Sequence, residues 1–501
     1  MKRCAIAIVF ASLFVLLPSP LKAQETWRWQ PSTPEEQGMD SERLAGAVDS
    51  LLENGGVHSV LVIRHGYVVL DAYFDPFTQG SLHDVASVTK SFTATLIAAA
   101  INQGYIESAQ QPVLDFFAGR DMANLDARKE AMTLENLLTM RSGLGCTTSD
   151  ETILYQMITT PDWVQFALDL PVVETPGSRF VYCSPNTHLL SAVIQAATGM
   201  SAAAFAQAQL FGPLDISEVI WPPDPQGVTT GWGDMRLAPL DMAKLGYLYL
   251  HDGVWDGQRL LPEGWVQAAT APHTPTSGAE QYGYGWWILE PGIYHALGAG
   301  GQNIYVVPDE DLVVVATQGS TFEGGPTADV ISLILPAIVS DAPLPPNPGG
   351  VALLEATVRQ AATPPQPAPE PVPPLPDTAQ RISGKTYRLD ANPFGLSALA
   401  LSFPDESEAV LRLTLSDQSV LAYRVGLDNV FRRAPGQYGL TAEARGRWES
   451  ATVFSVNLNE IGNIALWDVS LRFEADRVAV QIRIVNRSNM GASFEGTLED
   501  A

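Results

Sequence analysis

The chain is short of cysteine, histidine and positive charge, and each shortage excludes something. Three cysteines in 501 residues do not make a disulfide scaffold. The seven histidines are scattered, with no His-Glu-x-x-His helix, so zinc hydrolysis of that kind is set aside and no metal or organic cofactor is expected. Lys and Arg number 29 against 55 Asp and Glu, a formal charge of −26. Such a surface repels nucleic acid and anionic lipid, and neither is expected as a partner. No serine stands between two glycines as Gly-x-Ser-x-Gly, which removes the α/β-hydrolase elbow.

The only apolar run near membrane character lies at the start. Lys2 and Arg3 precede an apolar stretch over 5–17, and Leu21-Lys22-Ala23 supplies a small-residue cleavage site. The stretch is too short to span a bilayer, and residues 1–23 are read as an export signal, leaving a periplasmic or secreted protein with no membrane span. The residues leave open whether the signal is cut or kept as an anchor. Cys4 precedes the apolar run and does not resemble a lipid-anchored cysteine. Without it, Cys146 and Cys183 remain, and whether they pair is also open.

What is present fits a packed protein of more than one core: 46% hydrophobic, 9% aromatic and 17% charged residues, in a chain longer than single cores usually grow. Apolar residues at helical spacing over 40–54 are followed by two strand patterns, 57–64 and 67–74, around His65-Gly66. A second strand pair is expected over 303–307 and 312–317, then an apolar helix over 327–339. Between the pairs lie helical patterns at 87–102, 133–140, 187–198 and 240–251. This organisation predicts an α+β domain over 24–340, an antiparallel sheet built from both ends and flanked by helices, with a helical subdomain and a cleft between them. Residues 341–380 are proline-rich and read as an extended spacer, with one apolar piece, 351–358, expected to be helical and docked. Alternating runs at 409–415, 451–458 and 477–485 predict a small all-β domain over 381–501.

Three places carry candidate chemistry. Ser87-Val88-Thr89-Lys90 opens a strongly apolar helix. Ser87 then stands near free backbone N–H groups at the helix start, and Lys90 lies three residues on, within reach of its oxygen. Burial disfavours the charged amine, so that it can take the serine proton. The spacing alone is weak, because Ser19-Pro20-Leu21-Lys22 matches it too, and an isolated match reads equally as a helix cap and a solvated lysine. Tyr182-Cys183-Ser184 is the second place. Tyr182 can pass a proton to a leaving group, and Ser184 can bond Lys90 or a substrate carbonyl; a core tyrosine in a loop is the plain alternative. The third is Ala296-Leu297-Gly298-Ala299-Gly300-Gly301. There Gly298 permits close backbone approach, and the N–H of Ala299 can join that of Ser87 in binding an oxyanion.

Taken in order, these residues resemble the β-lactamase-related serine hydrolases: penicillin-binding proteins, class C β-lactamases, related esterases and aminohexanoate-dimer hydrolases. Leu134 to Leu144, which contains Ser142-Gly143, resembles the family's helix-to-loop segment. Asp241-Met242-Ala243-Lys244-Leu245-Gly246 and Tyr282-Gly283-Tyr284-Gly285-Trp286-Trp287 resemble later landmarks. The resemblance implies a β-lactamase/transpeptidase-like fold and catalysis by Ser87, Lys90 and Tyr182. It also extends to the C-terminal region, where Ile382-Ser383-Gly384-Lys385-Thr386-Tyr387 is similar to β-rich extensions of some relatives. A barrel or sandwich, lipocalin-like in some of those relatives, is implied.

Two departures narrow the expected substrate. Many relatives carry Tyr-x-Asn where this chain has Tyr182-x-Ser184. Where others carry Lys-Thr-Gly or His-x-Gly, this chain has Ala296-Leu297-Gly298, and His295 should face the other side of its strand. Without that cation a substrate carboxylate loses its usual grip. A small ester or amide, or a peptide, is the expected substrate, handled through an acyl-enzyme. A D-amino-acid peptidase or penicillin-binding-type carboxypeptidase, a β-lactamase, and a silent cell-wall-peptide-binding scaffold are the rival readings. The oligomeric state is not legible.

Overall fold

The computed structural model describes residues 29–146, 152–290, 292–319, 327–364, 368–464, 466–485 and 487–499. The signal expected over 1–23 lies outside them. Nine strands make one sheet, ordered Gln30–Pro31, Tyr67–Tyr73, Val57–Arg64, Leu312–Gln318, Gln302–Val307, Ile293–Gly298, Trp287–Glu290, Gln281–Tyr282 and Thr274–Pro275. All pairings are antiparallel except that of the outermost Gln30–Pro31. The two strand pairs from opposite ends of the domain meet directly, with Val314 opposite Val62. Every residue of Val57–Arg64 and Leu312–Gln318 is buried, as central strands covered on both faces require.

Two apolar layers cover the sheet. On one face Leu44, Val48 and Leu51 of helix Ser41–Asn54 pack with Val60, Val62, Val314 and Ile334. On the other, Ile63, Val313 and Val315 meet a larger helical body. Its central helix, Thr89–Asn102, is buried from Thr89 to Ala100. It is buried around its whole circumference, the mark of a helix enclosed by others. Its buried threonines are satisfied internally: Thr93 Oγ1 donates to the Thr89 carbonyl at 3.1 Å and Thr95 Oγ1 to the Ser91 carbonyl at 2.7 Å.

The proline-rich segment departs from the extended spacer expected over 341–380. Pro348–Ala361 is a helix, longer at both ends than 351–358, and its Leu354 and Ala361 join the core around Leu44 and Val48. Pro348 stands in the first turn and Asn347 caps it by accepting the Gly350 N–H at 3.0 Å. Proline there starts a helix rather than blocking one, because the first-turn N–H has no partner to lose. After it, Val372 and Leu375 pack on the C-terminal core.

That C-terminal core is a barrel rather than a sandwich. Neighbouring strands from Thr386–Leu389 to Arg487–Leu498 pair in turn except that Val420–Gly426 skips Arg432–Pro435 to run parallel to Thr441–Trp448, while Thr386–Leu389 pairs with Arg487–Leu498, closing a ring of nine with Arg432–Pro435 outside it. Alternation is clear along Val453–Glu460, where Phe454, Val456, Leu458 and Glu460 are the buried residues. Phe454, Leu471, Phe473 and Val478 are wholly buried and fill the interior.

Candidate active site

Ser87 does not sit inside the long helix but in a short 3-10 turn, Ala86–Val88, that leads into it. Ala86 has φ 48°, a left-handed conformation that a side chain disfavours. Neighbours hold it there. The Ala86 N–H donates to Asp84 Oδ1 at 2.8 Å, and Thr89 Oγ1 donates to the Ala86 carbonyl at 2.7 Å. The Val85 N–H donates to the Met235 carbonyl at 2.9 Å. Strain at one residue is typical where a reactive group is presented.

Lys90 is 1% exposed. Its Nζ lies 3.0 Å from Ser87 Oγ and donates to the Trp232 carbonyl at 2.8 Å. The Tyr182 ring closes a further side, with its centroid 4.9 Å from Nζ. These contacts replace the water that a buried amine gives up. Tyr182 is itself fixed by aromatic neighbours: Trp287 stacks on it at 5.8 Å, and Tyr282 meets it edge-on at 6.5 Å. Burial holds the Tyr282 hydroxyl well above the ordinary tyrosine range. The loop before Tyr182 is pinned where the Val181 N–H donates to the Met140 carbonyl at 2.9 Å. Cys146 and Cys183 form a disulfide, tying the residue after Tyr182 to the segment after Ser142-Gly143. Ser184 is fully buried in the first turn of helix Ser184–Thr198.

The third candidate segment lies beside the same turn. A Cβ on Gly298 would stand 2.5 Å from the Val85 carbonyl oxygen and 3.2 Å from Ala86 Cβ, so only glycine lets this strand end so close to Ser87. Ala299 follows and is exposed. Its carbonyl accepts from Gln302 Nε2 at 3.1 Å, and the buried Gln302 is bonded in turn to Gln318. Ala296 is wholly buried. His295 lies on the opposite face, bonded to Asn303 at 2.9 Å and Glu280 at 3.0 Å and stacked on Tyr305. The Trp286-Trp287 pair divides: Trp286 is core, packed on Tyr249, and Trp287 belongs to the Tyr182 cluster.

Several residues around the serine turn escaped sequence reasoning. Asp84, Asp234 and Arg236 gather there, brought together by the pairing of Asp84 with Arg236 in a two-stranded ladder. Arg236 lies 3.9 Å from the Asp84 carboxylate. Burial, reinforced by the charge of Asp84, pushes the Asp234 carboxyl up to about 6, against the pull of Arg236 and Lys90. Burial likewise raises Asp84, opposed by Arg236 and the Ala86 N–H. Trp232 contributes only a backbone carbonyl, which carries no side-chain signal. The glycine-flanked run Gly231-Trp232-Gly233-Asp234, just before strand Arg236–Leu237, is the signal in the sequence that marks this loop. Among the described residues no cluster of three or more metal-ligating side chains is present.

An antiparallel sheet faced by a helical body, with a half-buried serine beside a buried lysine at their junction, is the build of the β-lactamase/transpeptidase-like fold. The β-lactamase family model matches residues 35–333, more than half of the chain. The chain belongs to that family and is a hydrolase of it. The 6-aminohexanoate-dimer hydrolase of Paenarthrobacter ureafaciens is 25% identical over 331 residues, covering 61% of this chain and 83% of its own. An uncharacterised protein of Alkalihalophilus pseudofirmus is 24% identical over 301 residues, covering 51% of this chain and 82% of its own. Among solved structures, EstCE1, described as a hydrolase with promiscuous acyltransferase activity, aligns with a TM-score of 0.50 at 15% identity, over 60% of this chain and 98% of its own. At that identity the likeness concerns the fold.

Proposed function

We propose that this chain is a serine hydrolase that cleaves a small ester or amide through an acyl-enzyme on Ser87. The observation that carries the reading is the 3.0 Å contact between Lys90 Nζ and Ser87 Oγ, with the amine buried and the Tyr182 ring beside it. Lys90 Nζ takes the hydroxyl proton while Oγ bonds to the substrate carbonyl carbon. The N–H groups of Ser87 and Ala299 receive the oxyanion. As the bond to the leaving group breaks, Tyr182 gives it a proton and takes in exchange the one held by Lys90; water then attacks the acyl-serine and one of its protons returns to Ser87 Oγ, releasing the acid and restoring the hydroxyl. Ser184 and Gly298 shape the site rather than react.

Ala296, apolar and buried, stands where a cation would grip a substrate carboxylate, which favours esters and amides without that anchor over β-lactams and D-alanyl ends. The relative named 6-aminohexanoate-dimer hydrolase makes a small amide the first substrate to try beside short esters. Export belongs to the same proposal: the Cys146–Cys183 disulfide suits an oxidising compartment. A panel of short p-nitrophenyl esters, linear amides and a chromogenic β-lactam, assayed with the parent chain and Ser87→Ala, tests the reading. Hydrolysis of an ester or amide should fall to background in Ser87→Ala. Full activity in that variant removes the mechanism.

A further inference from the structure

The barrel reaches the serine turn through one hairpin tip. Between strands Val453–Glu460 and Leu466–Glu474 the chain turns over 461–464, against the segment that leads into Ser87. The Gly462 carbonyl accepts the Asp84 N–H at 2.5 Å. Gly462 has φ +99°, and a Cβ there would lie 2.3 Å from the Leu82 carbonyl oxygen. Both facts require glycine at the point of contact. Asn463 follows, and its Oδ1 accepts from Arg236 Nη2 at 2.8 Å. Tyr438, from a neighbouring barrel turn, sets its ring 4.8 Å from the same guanidinium. Ile464 Cβ lies 3.5 Å from where a Cβ on Gly300 would stand.

Arg236 is thus shared. The hydrolase domain offers it the Asp84 carboxylate at 3.9 Å and the Asp234 carbonyl at 3.2 Å. The barrel offers the Asn463 oxygen and the Tyr438 ring, with the Glu460 carboxyl adding its field. Arg236 is 7% exposed, so a partner lost on either side is not replaced freely by water. Asp84 is the connecting residue. Its N–H is held by Gly462, and its carboxylate accepts the N–H of Ala86, which keeps that residue left-handed immediately before Ser87.

We infer that the barrel turn 461–464 is a positioning element of the hydrolase site. Asn463 and the Gly462 carbonyl hold Arg236 and Asp84, and through Asp84 they hold the strained turn that aims Ser87 Oγ at Lys90. The second domain is then part of the catalytic apparatus without touching the reacting atoms. The inference rests on the reading of Ser87 as nucleophile. It goes beyond that reading in giving the barrel a defined share in acylation.

The test uses the full chain and a fluorophosphonate probe, with the inactivation rate kinact and the half-saturation KI fitted separately and the labelled peptide identified by mass spectrometry. In the parent chain the label should fall on Ser87. Asn463→Leu should lower kinact about tenfold, the loss expected when a hydrogen bond to a charged group is removed, with KI little changed. Asn463→Asp keeps an acceptor oxygen for Arg236 and should restore kinact to within about twofold of the parent. If Asn463→Leu unfolds the chain, Tyr438→Leu replaces it, because Tyr438 is 55% exposed and its loss should spare the fold while loosening Arg236. A folded Asn463→Leu or Tyr438→Leu variant with parental kinact overturns the inference. So does an Asn463→Asp variant no faster than Asn463→Leu. If the parent is not labelled at Ser87, the nucleophile assignment falls and takes the inference with it. Labelling at Ser87 with unaffected variants sinks the inference alone.

Discussion

The two interiors of this protein are built on opposite rules. In the hydrolase domain the central helix carries Thr89, Lys90, Ser91, Thr93 and Thr95 into the core, each wholly or almost wholly buried. The barrel interior is lined by Leu411, Val425, Phe454, Val456, Leu471, Phe473 and Val478, with its polar residues turned outward along the strands. An apolar interior needs only volume and alternation to be stable. Buried polar groups need partners fixed in direction, which is costly to arrange and is therefore concentrated where chemistry is expected. The barrel departs from its own rule at the end facing the site, where Glu460 bonds Tyr423 and the next residues meet Arg236 and Asp84.

Substitutions can break this contrast or sharpen it. The largest effect is expected at Lys90: Lys90→Met keeps the length and apolar stem but removes the base, and ester or amide turnover should fall about 10³-fold. Thermal melting should show the fold retained. Turnover within a few-fold of the parent would mean that the buried amine is packing rather than chemistry.

Phe454→Ala probes the other interior. It should cost about 3–4 kcal/mol of barrel stability through the cavity left behind, read by denaturant unfolding. Labelling of Ser87 under native conditions should stay near parental, because the interior of the barrel, unlike its 461–464 turn, makes no contact with the serine turn. A parallel loss of labelling would show that the two cores are not separable.

The smallest effect is expected at Asp234. Its folded value of about 6 lies above that of an unfolded aspartate, so the folded chain binds the proton more tightly. Stability from this group is therefore greatest below about pH 4 and declines as pH rises toward about 6. Asp234→Asn should flatten that decline, by about 2 kcal/mol, in melting curves between pH 4 and 7. Asp84, also raised by burial, should leave a residual slope. An unchanged pH profile would show that Asp234 is as solvated as a surface carboxylate.

Much of the framework was legible because it repeats locally. The apolar spacing over 40–54 becomes helix Ser41–Asn54, and the alternation over 409–415 becomes strand Glu408–Leu415. The candidate site was legible only in pieces. Ser87 and Lys90 are three residues apart, so spacing puts them within reach, but Ser87 stands in the 3-10 turn before the helix, and the left-handed Ala86 that precedes it carries no spacing signal. Tyr182 became credible through the landmarks around it, and its stacking on Trp287 links residues more than a hundred positions apart. Pro348 misled because the same residue that favours an extended chain also begins a helix when a cap such as Asn347 precedes it.

By itself, then, the sequence determined the helix that carries Lys90, the three-residue spacing that leaves Ser87 within its reach, the period of the strands, and the glycines at turns, all set by interactions within a few residues. Tertiary structure alone decided that Cys146 pairs with Cys183, that the β region closes as a barrel, that the Trp232 carbonyl receives the Lys90 amine, and that Asn463 meets Arg236 across 227 positions. Those contacts depend on how separate elements pack, and no period or spacing along the chain encodes them.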